Sequence, residues 1–446
     1  MHTPLACRRR TLLLLLAIAV ASPAQAALSQ RNIDVLHYAV EIQPDIAAKT
    51  IQGHIVVRFA ATSSALRSIE LDNDGLTVDA VREAGARLSF TQHDKRLHIQ
   101  LKRPAQQGEQ RDIEIDYHGA PRFGLQFHPD RSQAYTIFST SQWLIGIDAP
   151  DERASLELTV TLPAGFKAVG NGRQIEHRAL ANGLEVYRWR QDMPVPAYTF
   201  GFAAGKFNEV IAAAGDVQLR FLSDALDEGE LRKVFADTAD MLRYFERRAG
   251  VPYPGKRYTQ ALVADTIGQE LAGFSLMSES YGHEVLADSH NESLIAHEAA
   301  HQWWGNMVTC ESWNEFWLNE AFANFLAATY MEHRFGKAEY EKSVSRWRVR
   351  HQKLKAEGKD KPLVFPDWNK PTSDDRAVVY QKGAYVLHLL RAQLGEDIFW
   401  RGIRDYTRTH FGKSVTTRDF QTAMEQTAGK RLDTFFDAWV YSSDHR

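Results

Sequence analysis

From residue 33 to about residue 206, apolar and polar side chains alternate in short runs. Residues 37–42 read HYAVEI, 97–101 LHIQL, 113–117 IEIDY and 156–162 LELTVTL. Successive side chains of a strand point to opposite faces, so each run predicts a half-buried strand. Turn clusters separate the runs: DNDG at 72–75, GNG at 170–172 and ANG at 181–183. Many short strands joined in this way predict an antiparallel β sandwich or saddle over residues 27–206. After the run at 217–222 the period changes. Leu231, Val234, Phe235, Thr238, Met241, Leu242 and Phe245 recur at helical spacing, which predicts one core-facing stripe. The chain therefore reads as an α+β multidomain protein, with a mainly helical second domain at 207–446.

The first 26 residues do not share this patterning. Arg8, Arg9 and Arg10 precede an apolar run at 11–21, and Ala24-Gln25-Ala26 follows as an A-x-A site. This is the form of a cleavable signal peptide, with a run too short to span a bilayer comfortably. Cleavage after Ala26 and a periplasmic or secreted location are expected, with no stable membrane insertion afterwards. Removing that segment leaves 50 basic against 56 acidic side chains, a net charge of about −6, which argues against a nucleic-acid partner. It also removes Cys7 and leaves Cys310 as the one cysteine, so no internal disulfide is expected and stability must come from core burial. A basic run between Lys342 and Lys361 reads as a solvated helix face.

Candidate chemistry concentrates in residues 289–324, SHNESLIAHEAAHQWWGNMVTCESWNEFWLNEAFAN. Residues four apart share one face of a helix, so His297 and His301 can present two imidazoles to one ion. Imidazole nitrogens and a carboxylate oxygen are normal zinc ligands, three of them making a catalytic site with a water in the fourth place. Glu298 flanks the pair in an H-E-x-x-H pattern and can reach that water as general base. Ser289-x-x-Glu292 predicts a capping box and Gly305 a stop. A second helical pattern, from about Leu318 to Tyr330, would carry Glu320 back to the ion. Asn324, one turn further on, can orient a ligand histidine by a hydrogen bond.

HEAAHQWWGNMVT followed by WLNEAFA resembles the M1 family of zinc metallopeptidases, gluzincins of the aminopeptidase N type. The family pattern is H-E-x-x-H, eighteen residues, then Glu; here residues 302–319 separate His301 from Glu320. Ala321 stands where the family usually has Gly. The resemblance implies an N-terminal β domain, a thermolysin-like catalytic domain and one Zn²⁺ per chain held by His297, His301 and Glu320. It also assigns a G-x-M-E-N signature, whose Glu binds the substrate amine on an edge strand, to residues 267–271. There only the acid, Glu270, survives, with Gln269 at the Met position and Leu271 at the Asn position. In Y-x-K-G-A-x-V-L, residues 380–387, it assigns oxyanion stabilisation to Tyr380, a task suited to a phenol that donates where charge develops. The resemblance ends with the catalytic domain. A short form without the large C-terminal helical domain is expected, with a more open cleft for which a homodimer partner is a candidate cover.

These residues together predict an exported zinc aminopeptidase acting on peptides. The degraded amine signature keeps an endopeptidase or relaxed peptidase open, and a non-catalytic peptide-binding protein on the same scaffold is the alternative from another class. One M1 branch opens a lipid epoxide, but nothing in this sequence points to a lipid.

Overall fold

The computed structural model describes residues 31–443, except residue 267 and residues 366–370. The expected signal peptide lies outside the described residues. Among them, no helix is long and apolar enough to cross a membrane.

The four alternating runs are strands, and each extends beyond its run. Ile33–Asp45, Thr50–Ala61, Gln110–Gly119 and Arg153–Pro163 lie in an eight-stranded sheet. Arg96–Ala105 lies instead in a three-stranded sheet between Leu66–Asp72 and Phe90–His93. Their inward faces close one core containing Ile55, Val57, Leu97, Ile115, Leu158 and Trp189, all buried. The large sheet is antiparallel except where Ile33–Asp45 runs parallel to Arg153–Pro163. The turn glycines Gly75, Gly172 and Gly183 adopt positive φ, a region that glycine enters at little steric cost.

Sheet membership changes after Gly205. Asn208–Ala214 and Val217–Ser223 pair into a five-stranded sheet with Arg257–Val263, Phe274–Ser278 and Gly268–Leu271, the last at its edge. Helices pack on this sheet around a second core. The stripe of 231–245 is buried at every position but serves two helices, Glu228–Val234 and Thr238–Ala249, separated by a turn. A capping box at Asp227 starts the first of them. At the start of the second, Thr238 is drawn inward, its hydroxyl donating to buried Gln260 at 2.6 Å.

The two halves are bonded closely. Tyr198 donates its hydroxyl to the Gly305 carbonyl at 2.8 Å. Arg153 donates to the Asn306 carbonyl at 3.0 Å and to the Thr309 hydroxyl at 2.8 Å. The Asn171 amide donates to the carbonyls of Thr199 and Ala272, both at 2.9 Å. Ala272 and Met307 bury their side chains in the β core.

Candidate metal centre and active site

His297 lies on the helix Ser293–Ala300, and His301 is that helix's C-cap residue. The helix stops sooner than Gly305 suggests because the chain folds back: the Asn306 N–H donates to the His301 carbonyl and the Gly305 N–H to Val308. At its start, the expected capping box does not form. Residues Ser289–Asn291 make a 3₁₀ turn capped by Asp288. Glu292 is buried against Asp237 and Arg334 instead of reaching back. Glu320 comes from the first turn of the long helix Trp317–Phe335.

Three ligand-type atoms converge. His297 Nε2 and His301 Nε2 are 2.9 Å apart, and Glu320 Oε2 lies 3.4 Å from the first and 3.5 Å from the second. The other ring nitrogens are committed. His301 Nδ1 donates to the Trp304 carbonyl at 3.0 Å. His297 Nδ1 donates to Asn324 Oδ1 at 3.0 Å, since the Asn324 amide nitrogen is itself spent on the Tyr380 carbonyl at 3.1 Å. Both Nε2 atoms are thereby turned to one point, where each imidazole, when neutral, presents a lone pair.

The electrostatics call for a cation at that point. Glu270, Glu298 and Glu320 are all buried beside the two histidines. Burial opposes charging His301, yet Glu320, with Glu270 and Glu298, outweighs it and lifts the His301 pKa to about 10. Burial would raise Glu320, but His301 and His297 bring it down to about 2. Burial and the neighbouring His301 charge both lower His297. Protons held by His301 and Glu298 thus offset part of the charge of the three acids. A divalent ion bound by the same three atoms would compensate more of that negative charge, and N₂O ligation suits zinc. The residues present fit the metal.

Glu298 shares the His297 helix and points to the same space. Its Oε2 is buried with no hydrogen-bond partner among the described residues. Burial first, then Glu270 and Glu320, hold its pKa well above the ordinary carboxylate range. A Cβ added at Gly268 would fall 2.2 Å from Glu298 Oε1, so a side chain there on this edge strand would displace the acid. Two residues on, Glu270 stands on the same strand, buried, with its pKa pushed up by desolvation to about 7. Tyr380 sits in a π-helical turn, Val378–Lys382, a form frequent at functional sites. Its ring is nearly parallel to that of His297, with centroids 6.3 Å apart. A cavity of about 390 Å³ opens beside Glu270 and Tyr380.

The Peptidase family M1 domain model matches residues 234–439, and the Peptidase M1 N-terminal domain model matches residues 35–199. The chain belongs to peptidase family M1. Aminopeptidase N of Streptomyces lividans is 25% identical over 342 residues, covering 70% of this chain and 38% of its own length. Aminopeptidase N of Rattus norvegicus is 28% identical over 327 residues, 66% of this chain and 33% of its own. The chain thus spans well under half the length of these two curated relatives. Solved M1 structures match more evenly. An M1 zinc metallopeptidase from Deinococcus radiodurans aligns with TM-score 0.77 and 26% identity over 92% of this chain and 94% of that one. A mutant form bound to a Tyr-Ser-Ala substrate gives 0.79, also at 26% identity, over 92% and 94%.

Within this M1 site, six of the seven sequence-derived residues surround one space, and the seventh, Asn324, stands behind His297. Sequence reasoning missed the residues that hold them there. Buried Gln302 donates to the Leu271 carbonyl at 3.1 Å and accepts from the Gly273 N–H at 2.9 Å, fastening the Glu270 strand. Asn319 accepts from the Cys310 N–H at 2.9 Å and donates to the Tyr198 hydroxyl at 3.1 Å. Ala321, the departure from the M1 pattern, is accommodated by Gly383, where an added Cβ would fall 2.5 Å from the Ala321 methyl. These positions adjoin motif residues, but their polar reach shows only in three dimensions. Asn324 yields a direct test: Asn324→Ala should weaken metal affinity about 10- to 100-fold, read by zinc competition against a chromogenic chelator. Unchanged affinity would reduce Asn324 to helix packing.

Proposed function

We propose that this protein is a zinc-dependent aminopeptidase that removes amino-terminal residues from peptides. The observation that carries the reading is the buried convergence of His297, His301 and Glu320, with the unpartnered carboxylate oxygen of Glu298 and the Glu270 acid beside it. His297, His301 and Glu320 would hold one Zn²⁺ per chain, and Asn324 would orient His297. Bound zinc supplies Lewis acidity, which acidifies a water and polarises a carbonyl.

The chain's own groups do the rest. Glu298 takes the proton from the attacking water and later gives it to the leaving amine. Its raised pKa suits a group that must both accept and release a proton. Tyr380 donates its hydroxyl hydrogen where negative charge develops on the carbonyl oxygen. Burial first, then Glu320 and Glu270, keep that phenol protonated. Glu270 pairs with the free α-ammonium of the substrate, which favours cleavage one residue from the end.

A matched peptide pair tests this reading, one member with a free amino terminus and the other acetylated, each with and without chelator. Stepwise, chelator-sensitive cleavage of the free peptide alone is the expected result. Internal cleavage of both would make the protein an endopeptidase, and cleavage of neither would favour the binding-protein alternative. The proposed location is outside the cytoplasm, and amino-terminal sequencing of the protein from its native host should begin at Ala27. A retained Met1 would overturn export by signal cleavage.

A further inference from the structure

We infer that Gln269 and the aromatic wall it secures form a pocket selecting an aromatic side chain on the residue whose amine Glu270 holds. The inference rests on the aminopeptidase reading for the role of Glu270.

Gln269 stands where the family signature has Met, and it is fully buried. Its amide oxygen accepts from the Phe138 N–H at 2.9 Å. Its amide nitrogen donates to Glu270 Oε2 at 3.0 Å. One side chain therefore fixes both the amine-binding acid and a loop of the β domain, which a Met thioether could not do with this geometry. The loop is strained: Phe138 and Ser139 have φ of 26° and 37°, values uncommon for residues other than glycine. Strain of this kind persists where surrounding structure imposes it, and it clusters at ligand sites.

What the strain achieves is the placement of Phe138. Its ring lies nearly parallel to that of Phe123, centroids 6.5 Å apart. Both rings are among the few large apolar side chains left exposed. They face the cavity beside Glu270, whose other walls include Trp313 and Phe316. A substrate held by its ammonium at Glu270 must send its first side chain into this space. An aromatic ring fills it and meets rings edge-on or offset; an alanine methyl leaves most of it to water. Lysine or arginine would meet the exposed Arg376 at the rim, whose guanidinium has no acidic partner among the described residues. Asp148, on the same wall, accepts from the Ser141 N–H at 3.2 Å, and burial favours its neutral form.

Binding of free amino acids tests the pocket without turnover. Zinc-loaded, full-length protein is titrated calorimetrically with L-phenylalanine, L-alanine and L-lysine. L-phenylalanine should bind at least about tenfold tighter than L-alanine, the scale of discrimination by an apolar pocket, and L-lysine should bind more weakly still. Gln269→Met and, separately, Phe123→Ala should each bring the phenylalanine-to-alanine ratio to within about threefold of unity, with zinc content and melting temperature as controls on folding. Phe123→Ala removes a half-exposed ring and guards against a Gln269 variant that fails to fold. Equal binding of phenylalanine and alanine by the wild type, or a ratio retained in both variants, would overturn the inference. Selective phenylalanine binding without hydrolysis of any peptide would refute the hydrolytic reading and leave the pocket standing.

Discussion

Replacing Glu298 by glutamine should lower kcat by about 10²- to 10⁴-fold, the range for losing a positioned acid–base group, while the protein keeps its zinc. The substitution is nearly isosteric, and His297, His301 and Glu320 remain untouched. Glu298 Oε2 is buried without a partner among the described residues, and burial beside two further acids already disfavours its charge. The amide should therefore not destabilise the fold. What disappears is the ability to accept a proton. Steady-state kinetics on a free-amino peptide, together with elemental analysis of bound metal, measures both halves of this statement. Turnover within tenfold of wild type would remove Glu298 as the base. Zinc lost along with activity would assign Glu298 to metal retention.

The largest expected effect on stability lies outside the ligand set. Lys382 is fully enclosed, its side-chain exposure 0%, and donates to both Asp360 oxygens at 2.9 and 3.1 Å and to the Lys361 carbonyl at 2.7 Å. It closes the π-helical turn that carries Tyr380. Breaking a buried pair by removing one member costs about 3–5 kcal/mol, because the remaining charge stays buried and loses its ion-pair partner. Lys382→Met should lose that much stability in urea unfolding. Adding Asp360→Asn should restore much of it, since that charge then goes too. A loss below 1 kcal/mol would show that the acid's other contacts, His351 at 3.3 Å among them, compensate it. The turn would also loosen, so activity in folded Lys382→Met should fall further than in an equally destabilised variant elsewhere.

The strands were readable because one face of each meets solvent and the other a core, so residues 113–117 announce themselves by alternation alone. The parallel pairing of Ile33–Asp45 with Arg153–Pro163 was not, because partners over a hundred residues apart leave no local signal. His297 and His301 were readable because helical geometry fixes what a spacing of four means. Tyr380 was legible only through family resemblance: a tyrosine sixty residues past Glu320 has no spacing to interpret, and its bond to Asn324 exists only once two helices meet. Glu292 misled for a definite reason. The capping-box pattern assumes an exposed acid free to reach back, and here packing buries it. Gln269 read as a lost methionine, although in the fold it is an added pair of hydrogen bonds.

The bonds from Tyr198 and Arg153 to Gly305 and Asn306 end on the backbone directly behind the second histidine ligand. A cut at residue 206 would therefore take the Tyr198 and Arg153 donors from these carbonyls, and the Asn306 and Thr309 acceptors from the Arg153 guanidinium. The two halves make one cooperative unit. For anyone trimming, grafting or shuffling such peptidases, the smallest portable module is the pair, and chimaeras should exchange both halves together.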